Sequence, residues 1–90
     1  MAIMVSAEVS GQTQQGYDGM ASAIGEYVSK APGFIMHTSY PSNGGWYIVE
    51  IWNSKAEADS WFAKSVVPNL PPGIRPKRTY QELHNIILPR

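Results

Sequence analysis

Two histidines, His37 and His84, are the side chains of this 90-residue chain best suited to general acid–base chemistry near neutral pH. His37 lies in a run of aromatic and β-branched residues that precedes Asn43-Gly44, and Glu50 lies in a similar run that follows it. An Asn-Gly pair between two such runs predicts a type I′ hairpin with a two-residue loop. In that register His37 faces Glu50, whose carboxylate would orient the imidazole ring.

The same two residues also allow less specific interpretations. A His–Glu pair across two strands is often a structural or interface contact, and a loop one residue longer would separate the two side chains. His84, beside Asn85, could bind a carbonyl group or a partner subunit instead of a substrate. The pair could in principle converge with His84 on a metal ion, but two histidines without a third ligand at characteristic spacing predict no metal site.

Aromatic side chains are abundant enough to form the walls of a ligand pocket. Three tryptophans, five tyrosines, two phenylalanines and four methionines exceed what one small core encloses, which favours a second apolar surface. That surface is a subunit interface, a pocket for an aromatic or apolar ligand, or both. Core and interface packing is the more ordinary role of such residues. The residues that we expect to contact a substrate are Tyr40, Trp46, Trp52, Tyr80 and His84.

Length and composition limit the class of protein. Ninety residues, 43% of them hydrophobic, predict a single domain over residues 1–90 and leave no room for separate nucleotide-binding and substrate domains. The chain has no cysteine, which removes disulfides, thiolate metal sites and a cysteine nucleophile and suits a reducing cytoplasm. Motifs for nucleotide, flavin or phosphate binding are absent, so we expect no cofactor.

Charge and hydropathy argue against nucleic acid and membrane as partners. Seven basic residues balance seven acidic ones, and the basic group Arg75, Lys77 and Arg78 is typical of a solvated loop. No stretch approaches the length of a membrane span. The apolar run from Met1 to Val9 has the alternation of a strand and lacks the basic leader of a signal peptide.

The pattern of the whole chain predicts the order β-α-β-β-α-β. Period-two alternation marks the strands. Apolar residues at helical spacing mark the first helix, whose start Thr13 or Ser10 could cap. The capping box Ser54-Lys55-Ala56-Glu57 marks the start of the second helix. Glycines within the first helix weaken it unless they allow close packing against a sheet. The predicted strands are 3–9, 34–40, 46–52 and 78–88, and the predicted helices are 13–31 and a second that ends before Pro68.

This order is the α+β, ferredoxin-like arrangement, a four-stranded antiparallel sheet with both helices on one face. The strands are apolar on both faces, since Trp46, Ile48 and Trp52 alternate with Val49 and other apolar residues. Exposure of either apolar face to water is unfavourable, so the pattern predicts a homodimer in which two sheets pack face to face.

Several segments resemble one known family. Ala31-Pro32-Gly33-Phe34-Ile35-Met36-His37, the run from Gly44 to Ser54, and Tyr80 with Leu83-His84-Asn85 are similar to the small antibiotic biosynthesis monooxygenase-like proteins of the dimeric α/β-barrel superfamily. The resemblance implies a homodimer with a shared barrel and a pocket between sheet and helices. It also implies a choice among cofactor-independent oxygenases, haem-degrading enzymes, isomerases and cyclases.

Haem degradation is the least favoured of these activities. That branch of the family uses an Asn, a Trp and a helix-borne His, and neither His37 nor His84 lies in a predicted helix. Our first hypothesis is a cofactor-independent monooxygenase, or a related isomerase or cyclase, acting on an aromatic or polyketide-like molecule. His37 is its acid–base group and Glu50 orients it. The alternative is a non-catalytic protein of the same fold that binds a small molecule or another subunit.

Overall fold

The computed structural model describes residues 1–89 and has the predicted ferredoxin-like α+β fold. The elements are β1 (Ile3–Ser10), α1 (Gln14–Val28), β2 (Phe34–Ser42), β3 (Gly45–Trp52), α2 (Lys55–Trp61) and β4 (Lys77–Glu82). The sheet is antiparallel throughout, in the order β2-β3-β1-β4, and both helices lie on one of its faces.

The hairpin between β2 and β3 has the predicted register but not the predicted turn. Tyr40 pairs with Tyr47 and His37 with Glu50. A type I′ turn needs a positive φ at both loop residues, whereas Gly44 has φ 79° and no non-glycine residue in the described part of the chain has a positive φ. Asn43 therefore has a negative φ, and this combination belongs to a type II turn. The loop length, which both turns share, is what fixes the register.

A β-bulge near the start of β2 determines where its side chains point. Phe34 pairs with Trp52, but Met36 already pairs with Ile51, so Ile35 is an extra residue. In a regular strand, residues 34 and 37 would point to opposite faces. The bulge shifts the alternation by one, and both Phe34 and His37 then face the helices.

The last strand is shorter than the predicted 78–88. It pairs only with β1, whose first residue, Ile3, lies opposite Glu82. One further bond, from the Leu83 amide to the Ala2 carbonyl, ends the ladder because β1 offers no more partners. His84 consequently lies outside any strand, and its prediction as a strand residue was wrong.

The helices begin where the sequence predicted. The Thr13 hydroxyl accepts a hydrogen bond from the Gly16 amide at 3.0 Å, and the Ser54 hydroxyl accepts one from the Glu57 amide at 3.2 Å. α2 ends at Trp61, before Pro68 as predicted, and it is followed by a π-helical turn (Phe62–Val66) and a separate 3₁₀ turn (Val67–Asn69) that contains Pro68. Proline is tolerated in the first residues of a helical turn because no amide is needed there. No helix within residues 1–89 is long and apolar enough to cross a membrane.

The buried core occupies one end of the sheet. Ile3, Val5, Trp52 and Ala58 are buried together there, and Phe34 packs against them with its ring edge-on to Trp52 at 5.4 Å. By contrast, none of the fifteen residues of α1 is buried. Helix α2 therefore closes the core, whereas α1 packs against the core at its C-terminal end through Val28 and leaves space beneath the rest of its length.

The glycines of α1 do not serve close packing against the sheet. A Cβ atom built at Gly19 or Gly25 would meet no neighbouring atom within 4 Å. The structure therefore does not support the expectation that these glycines allow the helix to pack closely against the sheet. At Gly25 the missing side chain instead leaves room in the space beneath the helix.

A charged cluster around Asp59 ties α2 to β4. Its carboxylate accepts hydrogen bonds from Lys55 at 2.8 Å, from Arg78 at 3.2 Å and from the Tyr80 hydroxyl at 2.5 Å. Burial alone would raise the pKa of Asp59, but the hydrogen bonds from Lys55 and Tyr80 outweigh it and hold this pKa below its usual value. Burial and the bond to Asp59 both raise the pKa of Tyr80.

We expect Asp59→Asn to destabilise the fold in a pH-dependent way. A carboxyl whose pKa is lowered by folding stabilises the native state above its unfolded pKa, about 3.9, and loses that effect as the pH falls further. The side chain is 38% exposed, so the loss at pH 7 should be on the order of 1 kcal/mol or less. Urea unfolding of both proteins from pH 7 downwards measures it. Asp18→Asn, on the exposed surface of α1, is the control, and a difference that does not shrink as the pH falls below about 3.9 contradicts the assignment.

Candidate functional site

A cavity of about 490 Å³ lies between the sheet and the helices. The helix-facing residues of β1 form its floor, α1 covers it, and the segment after α2 closes one side. Its walls are mainly apolar, which suits a flat hydrophobic molecule. The lining residues with hydroxyl, amide, imidazole or charged side chains are Gln12, Tyr17, Ser29, His37, Glu50 and Arg78.

His37 and Glu50 form the pair that the hairpin register predicted. Nδ1 of His37 lies 2.6 Å from Oε2 of Glu50, and both side chains line the cavity. They are 28% and 14% exposed, so the contact is partly shielded from water. A hydrogen bond between a carboxylate and Nδ1 fixes the orientation of an imidazole ring and supports proton transfer at its other nitrogen.

Trp52 holds Glu50 in place from the core side. Its indole Nε1 donates a hydrogen bond to Oε1 of Glu50 at 3.0 Å, and the whole residue is 0% exposed. Each oxygen of Glu50 therefore has its own partner, His37 on one side and Trp52 on the other. Trp52 was expected to be a wall of the pocket; it does not line the cavity and orients the carboxylate instead.

Tyr17 of α1 completes the group, and sequence reasoning missed it. Its hydroxyl lies 2.6 Å from Nε2 of His37, and its ring stacks on His37 and on Trp46 with centroids 6.0 and 5.4 Å apart. Tyr17, Met20, Ile24 and Val28 follow one another at steps of three and four residues, which predicts one apolar face of the helix and is consistent with the position of the Tyr17 ring. Helical periodicity predicts which side of α1 faces the sheet, but it does not predict the position of the helix along the direction of the strands. That position is what brings the hydroxyl of Tyr17 to His37.

Tyr17, His37, Glu50 and Trp52 form one hydrogen-bonded chain, which we call the proton chain. An ionised Glu50 only accepts hydrogen bonds, so Nδ1 of His37 carries a hydrogen. In the neutral ring Nε2 is then bare and accepts the hydrogen bond of the Tyr17 hydroxyl. The arrangement can take up a proton at the cavity end and stabilise the resulting imidazolium with Glu50.

The other expected substrate contacts lie elsewhere. Trp46 faces the helices but is covered by Tyr17, and its indole nitrogen is buried without a hydrogen-bond partner in the described residues. Tyr40 points to the opposite face of the sheet, where its ring lies 5.4 Å from that of Tyr47. Tyr80 donates to Asp59, and His84 follows the last strand. None of these four expected residues lines the cavity.

The three residues considered as joint metal ligands do not meet. His37 and Glu50 are in contact, but His84 does not join them in the structure. Within residues 1–89 no group of three histidine, aspartate or glutamate side chains is arranged to hold a metal ion.

A substitution on α1 tests whether the cavity binds apolar molecules. Gly25 lines the cavity, so a Gly25→Leu side chain should fill part of it. We expect the protein to bind 1-anilinonaphthalene-8-sulfonate with enhanced fluorescence, and Gly25→Leu to weaken this binding at least about tenfold, the effect of losing roughly 1.4 kcal/mol of contact. Gly19→Leu, on the exposed side of the same helix, should leave binding unchanged. Equal binding by both variants would place the dye outside the cavity.

Comparisons with known proteins gave matches in structure but not in sequence families. No family model matches the chain, and no curated protein matches it either. Among solved structures, SnoaB, described as a cofactor-independent oxygenase from Streptomyces nogalater, superposes with a TM-score of 0.72 at 10% identity, over 96% of each chain. The haem degrader MhuD from Mycobacterium tuberculosis, solved with two haems bound, gives 0.64 at 14% identity, over 97% and 99% of the chains.

The cavity residues do not fit a haem iron, although a haem degrader shares the fold. An axial histidine must offer a free ring nitrogen to the metal. His37 is the only histidine that lines the cavity, and within the described residues both of its nitrogens are engaged, by Glu50 and by Tyr17. Binding of iron would therefore break the proton chain.

A monooxygenase from the ActVA-Orf6 gene of Streptomyces coelicolor, in complex with nanaomycin D, is also similar. It shares 25% identity and gives a TM-score of 0.53, over 99% of this chain and 91% of that one. These superpositions span almost the whole chain and agree with the resemblance in the sequence. The chain has the fold of the antibiotic biosynthesis monooxygenase-like proteins of the dimeric α/β-barrel superfamily.

Proposed function

We propose that this protein is a small cofactor-independent monooxygenase for an electron-rich aromatic or polyketide-like molecule. The observation that carries the proposal is the 2.6 Å contact between His37 and Glu50 at the wall of an apolar cavity. A carboxylate-supported histidine in such a place is suited to remove an acidic proton from a bound phenol or enol. The apolar walls favour a flat hydrophobic substrate.

Deprotonation is the step that the residues of this chain supply. The resulting phenolate or enolate is electron-rich enough to be oxidised by dioxygen, which is the co-substrate. One substrate carbon gains one oxygen atom, the substrate loses two hydrogen atoms, and these leave with the second oxygen atom as water. The protein's contribution is to hold the substrate, take its proton and keep the anion away from bulk water.

The structural neighbours favour oxygenase activity over the other activities that occur on this fold. SnoaB is described as a cofactor-independent oxygenase and the ActVA-Orf6 protein as a monooxygenase with a bound ligand, nanaomycin D. The same deprotonation followed by reprotonation at another atom would be an isomerisation. Oxygen uptake separates the two outcomes, because an isomerase consumes none.

Substitution of His37 tests the proposed chemistry. A suitable probe is dithranol, a tricyclic hydroxyanthrone with an acidic methylene group, and the measurement is dioxygen uptake above the rate without protein. We expect His37→Ala to lower this catalysed rate at least about a hundredfold, the usual minimum for loss of a general base. His84→Ala is the matched control and should keep the full rate, because His84 does not line the cavity.

A rate for His37→Ala near that of the wild type would remove His37 from the mechanism. Binding of the probe by the wild type without any product in air would instead support the alternative, a non-catalytic ligand-binding protein of this fold. The test thus separates an enzyme with another base from a protein without activity.

We also propose that the protein acts as a homodimer formed by the uncovered face of the sheet. This open face consists of the strand residues that point away from the helices, among them Met4, Tyr40, Tyr47, Val49 and Ile51. Its apolar members are left without a covering layer in a single chain, and the family resemblance implies a barrel shared by two subunits. Pairing of two open faces would remove this surface from water.

A charge on the open face should separate the subunits. We expect a dimer at micromolar concentration in analytical ultracentrifugation, and a monomer for Val49→Lys, because a buried unpaired ammonium group is strongly unfavourable at an interface. Val67→Lys places the same change on a residue that is 49% exposed and should leave the dimer intact. A monomeric wild type at that concentration would contradict the proposed assembly.

A further inference from the structure

We propose that the hydroxyl of Tyr17, rather than the ring of His37, takes the proton directly from the substrate, and that His37 receives the proton of Tyr17 in the same step. This inference rests on the proposed function and assigns its first step to a residue that the sequence did not indicate. It follows from which atoms of the proton chain remain available to a bound molecule.

Neither nitrogen of His37 is available in the structure. Nδ1 lies 2.6 Å from Glu50 and Nε2 lies 2.6 Å from the hydroxyl of Tyr17. A substrate that reached Nε2 would first have to displace this hydroxyl. The oxygen of Tyr17 donates one hydrogen bond and keeps accepting capacity, so it can approach an acidic group of a molecule in the cavity that Tyr17 lines.

The ring of Tyr17 is held in a way that opposes its displacement. It stacks on Trp46 with an interplanar angle of 19° and on His37 with one of 18°. Tyr17 also lies in the first turns of α1, where its amide bonds to the carbonyl of Thr13 at 2.8 Å. Swinging the hydroxyl away from His37 would cost both stacking contacts or move the start of the helix.

The proton transfers balance without any further reactant. The C–H or O–H bond of the substrate breaks and its proton bonds to Oη of Tyr17, while the original Tyr17 proton moves to Nε2 of His37. The products are a substrate anion, a neutral Tyr17 and an imidazolium that Glu50 stabilises through Nδ1. The acidic group of the substrate must therefore lie within hydrogen-bond reach of Tyr17, near the start of α1.

The experiment follows ionisation of dithranol without oxygen, so that it reports proton transfer alone. Stopped-flow absorbance records formation of the probe anion on wild type, Tyr17→Phe and His37→Ala. Phenylalanine keeps the stacked ring and removes only the hydroxyl, and we expect the rate to fall at least about a hundredfold, as with His37→Ala. Tyr27→Phe makes the same change on a residue of α1 that is 66% exposed and should not alter the rate.

A second measurement on the wild type does not depend on any variant. The methylene proton of the probe does not exchange during a rapid reaction, so direct transfer to His37 moves no solvent-derived proton. Transfer through Tyr17 moves the exchangeable phenolic proton. We therefore expect slower ionisation in heavy water, whereas equal rates in light and heavy water would overturn the relay.

The outcomes separate this inference from the proposed function. If Tyr17→Phe ionises the probe as fast as or faster than wild type, His37 acts directly and only the role of Tyr17 is wrong. If wild type ionises the probe no faster than buffer does, both the proposed function and the relay are contradicted.

Discussion

The contact between His37 and Glu50 is the interaction on which the rest of the candidate site depends. Three features of the backbone create it: a two-residue loop that sets the hairpin register, a bulge that turns His37 toward the helices, and the burial of Trp52, which holds the far oxygen of Glu50. Because strand side chains alternate, a shift of one residue in either strand would send one partner to the other face of the sheet. The chemistry of the cavity is thus a consequence of strand pairing.

The cavity exists because the two helices contribute differently to the fold. α2 places Ala58 in the core against Trp52, whereas α1 buries no residue. The Tyr17 hydroxyl links the start of α1 to the sheet across this space, so the same contact joins the helix to the sheet and extends the proton chain. A domain of this size buries a smaller share of its surface than a larger domain does. The proposed pairing of open faces would supply burial that α1 does not.

Local sequence signals predicted the order of elements along the chain, both helix starts and the His37–Glu50 pair, because turn chemistry, capping and alternation act over a few residues. They failed where the outcome depends on distant partners. His84 left the predicted strand because β1 offers it no partner, and Tyr40 lies on the other face because its register pairs it with Tyr47. Tyr17 was missed because no local pattern states how far along the strands a helix lies. The turn type was wrong because Asn43 tolerates either sign of φ, and the backbone adopted the other one.

The tautomer of His37 reports on the proton chain in the absence of a substrate. Nitrogen-15 chemical shifts and long-range proton–nitrogen couplings distinguish the two ring nitrogens at a pH at which the ring is neutral. The proton chain requires a protonated Nδ1, facing Glu50, and a bare Nε2 that accepts from Tyr17, and we expect Glu50→Gln to weaken this preference. A hydrogen on Nε2 and a bare Nδ1 would contradict it, because the ring could then receive no proton from the cavity side.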